Sequence, residues 1–116
     1  MIAKIKPCKL HGTIDAPPSK SMAHRALIAA ALAKGESRIL GVSQCEDVQA
    51  TLDSLQALGA ECKIDNNCVI VHGIDFSNQS TAVLPCCESG STMRFMLPLC
   101  LLMLRQVSVL PHITLF

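Results

Sequence analysis

Two consecutive prolines, Pro17 and Pro18, constrain this chain most sharply. Neither offers a backbone N–H and each fixes φ near −65°, so no central strand or helix interior can run through them. Upstream, "LHGTIDA" (10–16) alternates modestly and reads as a strand with a hard stop. Downstream, the Ala- and Leu-rich run from Ser21 to Ala33 reads as a helix closed by Gly35. The apolar "ESRILGV" (36–42) then predicts a strand. "SQCE" (43–46) fits a capping box with Ser43 as cap and Glu46 three residues on, and Glu46 and Asp47 suit the positive end of a helix. Val48, Leu52, Leu55 and Leu58 form one stripe on that helix, which stops at Gly59. "AECKI" and "CVIVHG" flank "DNN" (65–67), the chemistry of a hairpin turn.

The order is β-α-β-α-β-β over residues 10–73, with two amphipathic helices on one face of a small sheet; the fold class is α/β (α+β). After a polar loop, "IDFSNQS" (74–80), the pattern restarts with strand "TAVLPC", a helix from Ser91, and the strand-like "QVSVL" and "HITLF". The second unit breaks off at Phe116 without a closing turn, so the chain is expected to be a fragment.

Composition removes several function classes. Three Phe with no Trp or Tyr disfavour a stacking platform for single-stranded nucleic acid, and a net charge of +1 without a basic run disfavours a nonspecific polyanion binder. The most apolar stretch, "FMLPLCLLML" (95–104), is shorter than the roughly 20 residues that cross a bilayer. The seven cysteines are odd in number, contain no C-x-x-C pair and follow no secretory signal, so they read as reduced cytoplasmic thiols rather than disulfides or a zinc site. The four histidines are widely separated, and no metal site is expected.

Two polar stretches carry chemistry. "PPSKSMAHRAL" (17–27) places Lys20, His24 and Arg25 in the first turns of a helix, where cations oppose the dipole unless an anion is near. With Ser21 set at zero, Ile28 and Leu32 fall within about 20° of it and Arg25 at about 40°, while Lys20 and His24 line the other margin of the arc. Free N–H groups, the Ser21 hydroxyl, Lys20 and Arg25 would together make an anion site. The same residues also fit a solvated helix start with Ser19 or Ser21 as N-cap. "CCESGSTMRF" (86–95) repeats the pattern: Gly90 permits close backbone approach, and Arg94 stands in the first turn. By itself it also fits a turn that caps a core helix. Asp47 and Glu88 are the nearest acids; either could orient an arginine, and Asp47 fits a plain helix-start carboxylate at least as well. No mononucleotide, dinucleotide or serine-hydrolase signature occurs.

"APPSKSMAHRALIAAALAKGES" closely resembles the N-terminal signature of the 5-enolpyruvylshikimate-3-phosphate synthase (3-phosphoshikimate 1-carboxyvinyltransferase) family, and "ESGSTMRFMLPL" resembles its second, glycine-containing signature. "CEDVQATLDSLQALGAE" is similar to the segment between them. The resemblance implies a cytoplasmic enolpyruvyl transferase of the shikimate pathway. That enzyme moves the enolpyruvyl group of phosphoenolpyruvate to the 5-hydroxyl of shikimate 3-phosphate and releases phosphate, with no metal or organic cofactor. Matching positions make Lys20 the catalytic residue in contact with both substrates. By the same matching, Ser21 and Arg25 would hold shikimate 3-phosphate and Gly90 would offer its backbone to phosphoenolpyruvate; Asp47, Glu88 and Arg94, singled out above from the residues themselves, would support them from behind. The family fold has two lobes of three βαβαββ units, so residues 1–9 would belong to the other lobe, 10–73 to a first unit and 74–116 to a truncated second one in an incomplete lobe. The remaining partner is the missing C-terminal part of the enzyme, without which these residues are expected to be inactive. A relative of UDP-N-acetylglucosamine carboxyvinyltransferase and a noncatalytic anion-binding module are the alternative readings.

Overall fold

The computed structural model describes residues 2–75, 81–103 and 106–111. Helix α1 spans Lys20–Leu32, strand β1 Glu36–Leu40, helix α2 Glu46–Ala57, β2 Glu61–Asp65, β3 Cys68–His72, β4 Thr81–Cys87, α3 Gly90–Met103 and β5 Gln106–Pro111. The mixed α/β class and the element order from 20 to 111 match the sequence reading. The expected strand over 10–16 does not form: residues 2–18 are neither helix nor strand, and Leu10 and Ile14 are exposed. Alternation alone cannot hold a strand; it needs a paired neighbour. The strand-like "HITLF" (112–116) lies outside the described residues.

The first sheet is antiparallel in the order β1-β3-β2. Its register sets Ile39, Val69 and Ile64 side by side, and next to them Ser37, Val71 and Cys62. Val69 and Val71 are buried beneath the helices. The alternate rows, Glu36–His72–Glu61 and Arg38–Ile70–Lys63, therefore carry charge on the opposite face, where Glu36 accepts a 2.8 Å hydrogen bond from Arg38. The turn between β2 and β3 is Asn66–Asn67, and Asn66 takes a φ of 50°, a left-handed conformation that asparagine tolerates.

Helix α2 follows its pattern closely, since Val48, Leu52, Leu55 and Leu58 are all buried. It closes in a Schellman turn, with Ala60 N–H donating to the Leu55 carbonyl (3.0 Å) and Gly59 N–H to Gln56 (2.9 Å); Gly59 supplies the required positive φ of 93°. Its start differs from the expected capping box. Cys45, not Ser43, is the N-cap and gives no side-chain bond, because Val42 is buried and the link from β1 delays the helix to Glu46. The acids Glu46 and Asp47 supply the negative charge at that end.

Strand β4 buries Ala82, Leu84 and Cys86 on one side, against α2, and pairs in parallel with β5 across α3. Met96 and Cys100 of α3 join the same core. Burial pushes the thiols of Cys62, Cys86 and Cys100 up, so they stay protonated core groups, and all seven cysteines are unpaired.

Gly73 sits in a close contact between β3 and α1. Its N–H donates to the Gly35 carbonyl (3.0 Å), and the next residue, Ile74, donates to Ala31 (2.8 Å), which locks the exit of β3 to the end of α1. A Cβ at position 73 would lie 1.7 Å from the Ala33 carbonyl oxygen, whereas one at Gly90 would meet nothing within 4 Å. Gly73→Ala is expected to lower unfolding free energy by about 3 kcal/mol, because backbone must move. Gly90→Ala should change it by less than about 1 kcal/mol. Urea denaturation of the two variants checks this, and equal stabilities would contradict the described packing.

Candidate functional site

The first turns of α1, α2 and α3 meet. Ser19 caps α1 by accepting from Met22 N–H at 3.4 Å, and Lys20 is the first helical residue. Lys20, His24, Leu27 and Ala31, spaced 4, 3 and 4 apart, lie on one stripe of the helix. The lower three are buried, so the stripe that faces the core at its C-terminal end brings Lys20 out at its upper end, next to α2. There it forms an ion pair with Asp47. The carboxylate beside Lys20 holds its ammonium above the usual lysine range, and the Asp47 carboxyl is held below the ordinary carboxylate range, chiefly by that hydrogen bond.

This answers the charge puzzle of the first motif differently from expectation. The anion beside the cationic helix start is, at least for Lys20, a residue of the neighbouring helix. Of the two readings of Asp47, a carboxylate that orients an arginine or one that simply serves the helix start, the described contact is with Lys20, because Lys20 and His24 occupy the α1 stripe that faces α2.

Beneath the ion pair runs a buried polar line that periodicity did not disclose. His24 Nδ1 lies 2.7 Å from Thr51 Oγ1, Thr51 Oγ1 lies 2.7 Å from Thr92 Oγ1, and Thr92 Oγ1 lies 2.7 Å from Ser89 Oγ. Both threonine hydroxyls also approach the Asp47 backbone carbonyl at 3.3 Å, and Thr92 N–H donates to Ser89 Oγ at 3.2 Å. The nearby Ser89 hydroxyl acts on the Asp47 carboxyl in the same downward sense. All four side chains are buried. Burial also pushes the His24 imidazole below the ordinary histidine value, with Asp47 acting in the opposite sense. The sequence did contain a signal: Thr51 breaks the apolar face of α2 between Val48 and Leu55, as His24 does on α1.

The other expected site residues take the following places. Ser21 is exposed, and its carbonyl accepts a 2.9 Å hydrogen bond from Arg25 Nη1. The Arg25 guanidinium stands over the Phe95 ring of α3, 5.2 Å from its centroid, an aromatic contact that ties its stem to the third helix. Gly90 opens α3 directly after Ser89 and is exposed, two residues before Thr92, whose hydroxyl lies 3.3 Å from the Asp47 carbonyl. Glu88 is exposed in the turn before it. Arg94 is exposed on α3 beside Phe95. Lys20 and Asp47 are thus brought together, the first turn of α3 that Gly90 opens packs against the start of α2 through Thr92, and Arg25 stands over Phe95 of the same helix. Cys87, which ends β4 before this turn, has a φ of 49°, a strained conformation for a residue with a Cβ.

A separate cleft of about 210 Å³ lies between the start of α2 and the β2–β3 turn, lined among others by Ser43, Cys45, Leu52 and Asn66. Among the described residues no group of three or more His, Cys, Asp or Glu is placed to hold a metal, and no helix is long and apolar enough to cross a membrane.

A family model described as EPSP synthase (3-phosphoshikimate 1-carboxyvinyltransferase) matches residues 5–111. The 3-phosphoshikimate 1-carboxyvinyltransferase of Clostridium perfringens strain SM101 is 46% identical over 99 residues, which cover 84% of this chain and 23% of that protein. The Clostridium acetobutylicum protein of the same name is 41% identical over 107 residues, covering 90% and 25%. A solved structure of EPSP synthase from Acinetobacter baumannii aligns with a TM-score of 0.61 at 27% identity, over 73% of this chain and 20% of that one. The chain spans about a quarter of the length of the curated relatives it matches.

Buried neutral His24 gives the fold a pH dependence with a definite sign. Unfolded, the imidazole gains its proton near pH 6.5; folded, it does so only at lower pH. Unfolding therefore takes up a proton in that interval, and stability falls as pH drops from about 6.5 toward the lowered folded value. Asp47 acts further down: its contribution is present above the ordinary carboxylate value of about 3.9 and is lost as pH falls through its depressed folded value. The urea midpoint is expected to decline between about pH 7 and pH 5, and His24→Gln to flatten that decline. Identical slopes for the two proteins would remove His24 as the source.

Proposed function

Because the chain belongs to the EPSP synthase family, we propose that these residues form part of the substrate site of a cytoplasmic 3-phosphoshikimate 1-carboxyvinyltransferase. The reaction joins the 5-hydroxyl oxygen of shikimate 3-phosphate to C2 of phosphoenolpyruvate as the hydroxyl gives up its proton and the methylene carbon C3 takes one up, giving a tetrahedral intermediate. Loss of phosphate from C2 and of a proton from C3 restores the double bond and leaves the enolpyruvyl ether. Both substrates carry phosphate and phosphoenolpyruvate adds a carboxylate, so their repulsion must be screened before oxygen and carbon can meet. Fixed cations and amides at a helix start do this without reorganising during the reaction.

Within that scheme Lys20 touches both substrates, and its pairing with Asp47 keeps it charged and aimed. Arg25 and Ser21 hold the phosphate of shikimate 3-phosphate; the guanidinium offers a planar fork for bidentate contact, and Phe95 supports its face. Gly90 lets phosphoenolpyruvate approach the first amides of α3, since no side chain intervenes. Arg94 adds positive charge on the same helix. The observation that carries the reading is the convergence of three helix starts on the Lys20–Asp47 pair. These 116 residues alone are proposed to bind shikimate 3-phosphate without turning it over, the rest of the family's length supplying the other half of the site.

Calorimetric titration of the chain with shikimate 3-phosphate tests this. Lys20→Ala and Arg25→Ala are each expected to weaken binding about tenfold or more, the loss of one charge-assisted contact. Arg25→Lys, which keeps the charge but not the fork, should fall between wild type and Arg25→Ala. Titration curves indifferent to all three substitutions would reject the assignment.

A further inference from the structure

We propose that Phe95 and the Ser21 carbonyl together lock Arg25, so that its guanidinium presents the Nε–Nη2 edge to an oxyanion of shikimate 3-phosphate. The inference deepens the reading of Arg25 as a substrate-holding residue and rests on it. It begins with the covalent geometry of the side chain. A guanidinium is planar, carries five N–H donors and offers paired edges to a two-oxygen acceptor, the Nη1–Nη2 end and the Nε–Nη2 side. Nη1 of Arg25 donates to the Ser21 carbonyl at 2.9 Å. An anion brought to the Nη1 end would stand beside that carbonyl oxygen, which repels it. The Nε–Nη2 edge lies across Cζ from Nη1 and is left clear of the carbonyl.

The ring supplies the second constraint. Arg25 Cζ stands over Phe95, 5.2 Å from the ring centroid, within the range of a cation–π contact. Phe95 is half-buried and packs against the core, next in sequence to the buried Met96, so the platform under the guanidinium is firm. Reaching back along α1 from position 25 to the carbonyl of position 21 is also the direction that long helical side chains favour. One contact thus fixes a nitrogen and the other fixes the face. The swing open to an exposed arginine is removed before any ligand arrives.

Binding then loses less rotamer freedom, a saving of about two- to tenfold in affinity for one long side chain. The side-on edge takes two oxygens of one carboxylate or phosphate at once, whereas a lone hydroxyl oxygen engages a single donor. Phe95 touches Arg25 from α3 and not the substrate, so it is a positioning residue. Its effect is expected to pass through the arginine alone.

The test uses the ¹⁵N-labelled 116-residue chain, whose four arginines give few enough Nε–H resonances to assign Arg25 by its loss in Arg25→Lys. In the free protein that resonance should lie upfield of its position in Phe95→Leu, because a ring shields protons above its face. The same position in both proteins overturns the proposal. Inorganic phosphate is then added to the wild type. The Arg25 Nε–H should move downfield and exchange more slowly with water; a response confined to the Nη protons, or none, also overturns it. Calorimetric titration with shikimate 3-phosphate is the second arm. Phe95→Leu should weaken binding about two- to tenfold, and Phe95→Tyr, which keeps the ring, should bind as the wild type does. Equal affinities for wild type and Phe95→Leu count against the lock; should Phe95→Leu not fold, the phosphate response of the wild-type Nε–H decides. Failure of the substrate reading would look different: shikimate 3-phosphate would bind no more tightly than inorganic phosphate while the Arg25 Nε–H still answered phosphate.

Discussion

Helices α1, α2 and α3 begin beside one another, and each brings the positive end of its dipole to the same place. Nothing else in the fold is as electrostatically demanding. The ends would repel one another and any cation set among them, yet Lys20 and Arg25 stand in the first turns of α1. The arrangement holds because a carboxylate, Asp47, enters at the α2 start and because the space below is filled by small hydroxyls that take and give hydrogen bonds. Larger apolar side chains there would separate the helix starts and dissolve the common positive surface. The α/β scaffold, with Val69 and Val71 under the helices and β4 against α2, serves to keep the three starts at that spacing.

The charge left over after the Lys20–Asp47 pairing defines what such a surface can attract. Arg25 is half committed, its Nη1 on the Ser21 carbonyl and its face on Phe95, and its remaining N–H groups are free to address an anion. The first amides of α3 stand open at Gly90. The near-neutral overall charge adds no wider field that would draw an extended polyanion to it.

What could be read in advance was local. The stripe Val48–Leu52–Leu55–Leu58 declares itself by helical period, Gly59 by its place after the last apolar residue, and the β2–β3 turn by consecutive asparagines after Asp65. The cationic start of α1 and the glycine at the start of α3 were visible as motifs for the same reason. The polar line beneath them was not, because its partners are 27 and 41 residues apart and no periodicity encodes which turn of one helix faces which turn of another. His24 looked like the margin of a stripe and is in its middle, since contact with α2 selects the buried face. Ser43 satisfied a capping pattern that the link from β1 to α2 overrides, and "LHGTIDA" had the alternation of a strand without a neighbour to pair with.

The two sheets differ in how far the chain must travel to make them. β2 and β3 meet across two residues and β1 joins them in the same antiparallel ladder, whereas β4 and β5 run parallel and are separated by the whole of α3. Antiparallel neighbours joined by a tight turn close quickly, but a parallel pair must first give up the entropy of an intervening crossover. Assembly thus has a built-in sequence, in which the hairpin matures early and the parallel ladder late. The start of α3 lies inside the loop that this parallel pair closes, so the turn carrying Ser89 and Gly90 belongs to the part of the chain whose ordering costs the most entropy.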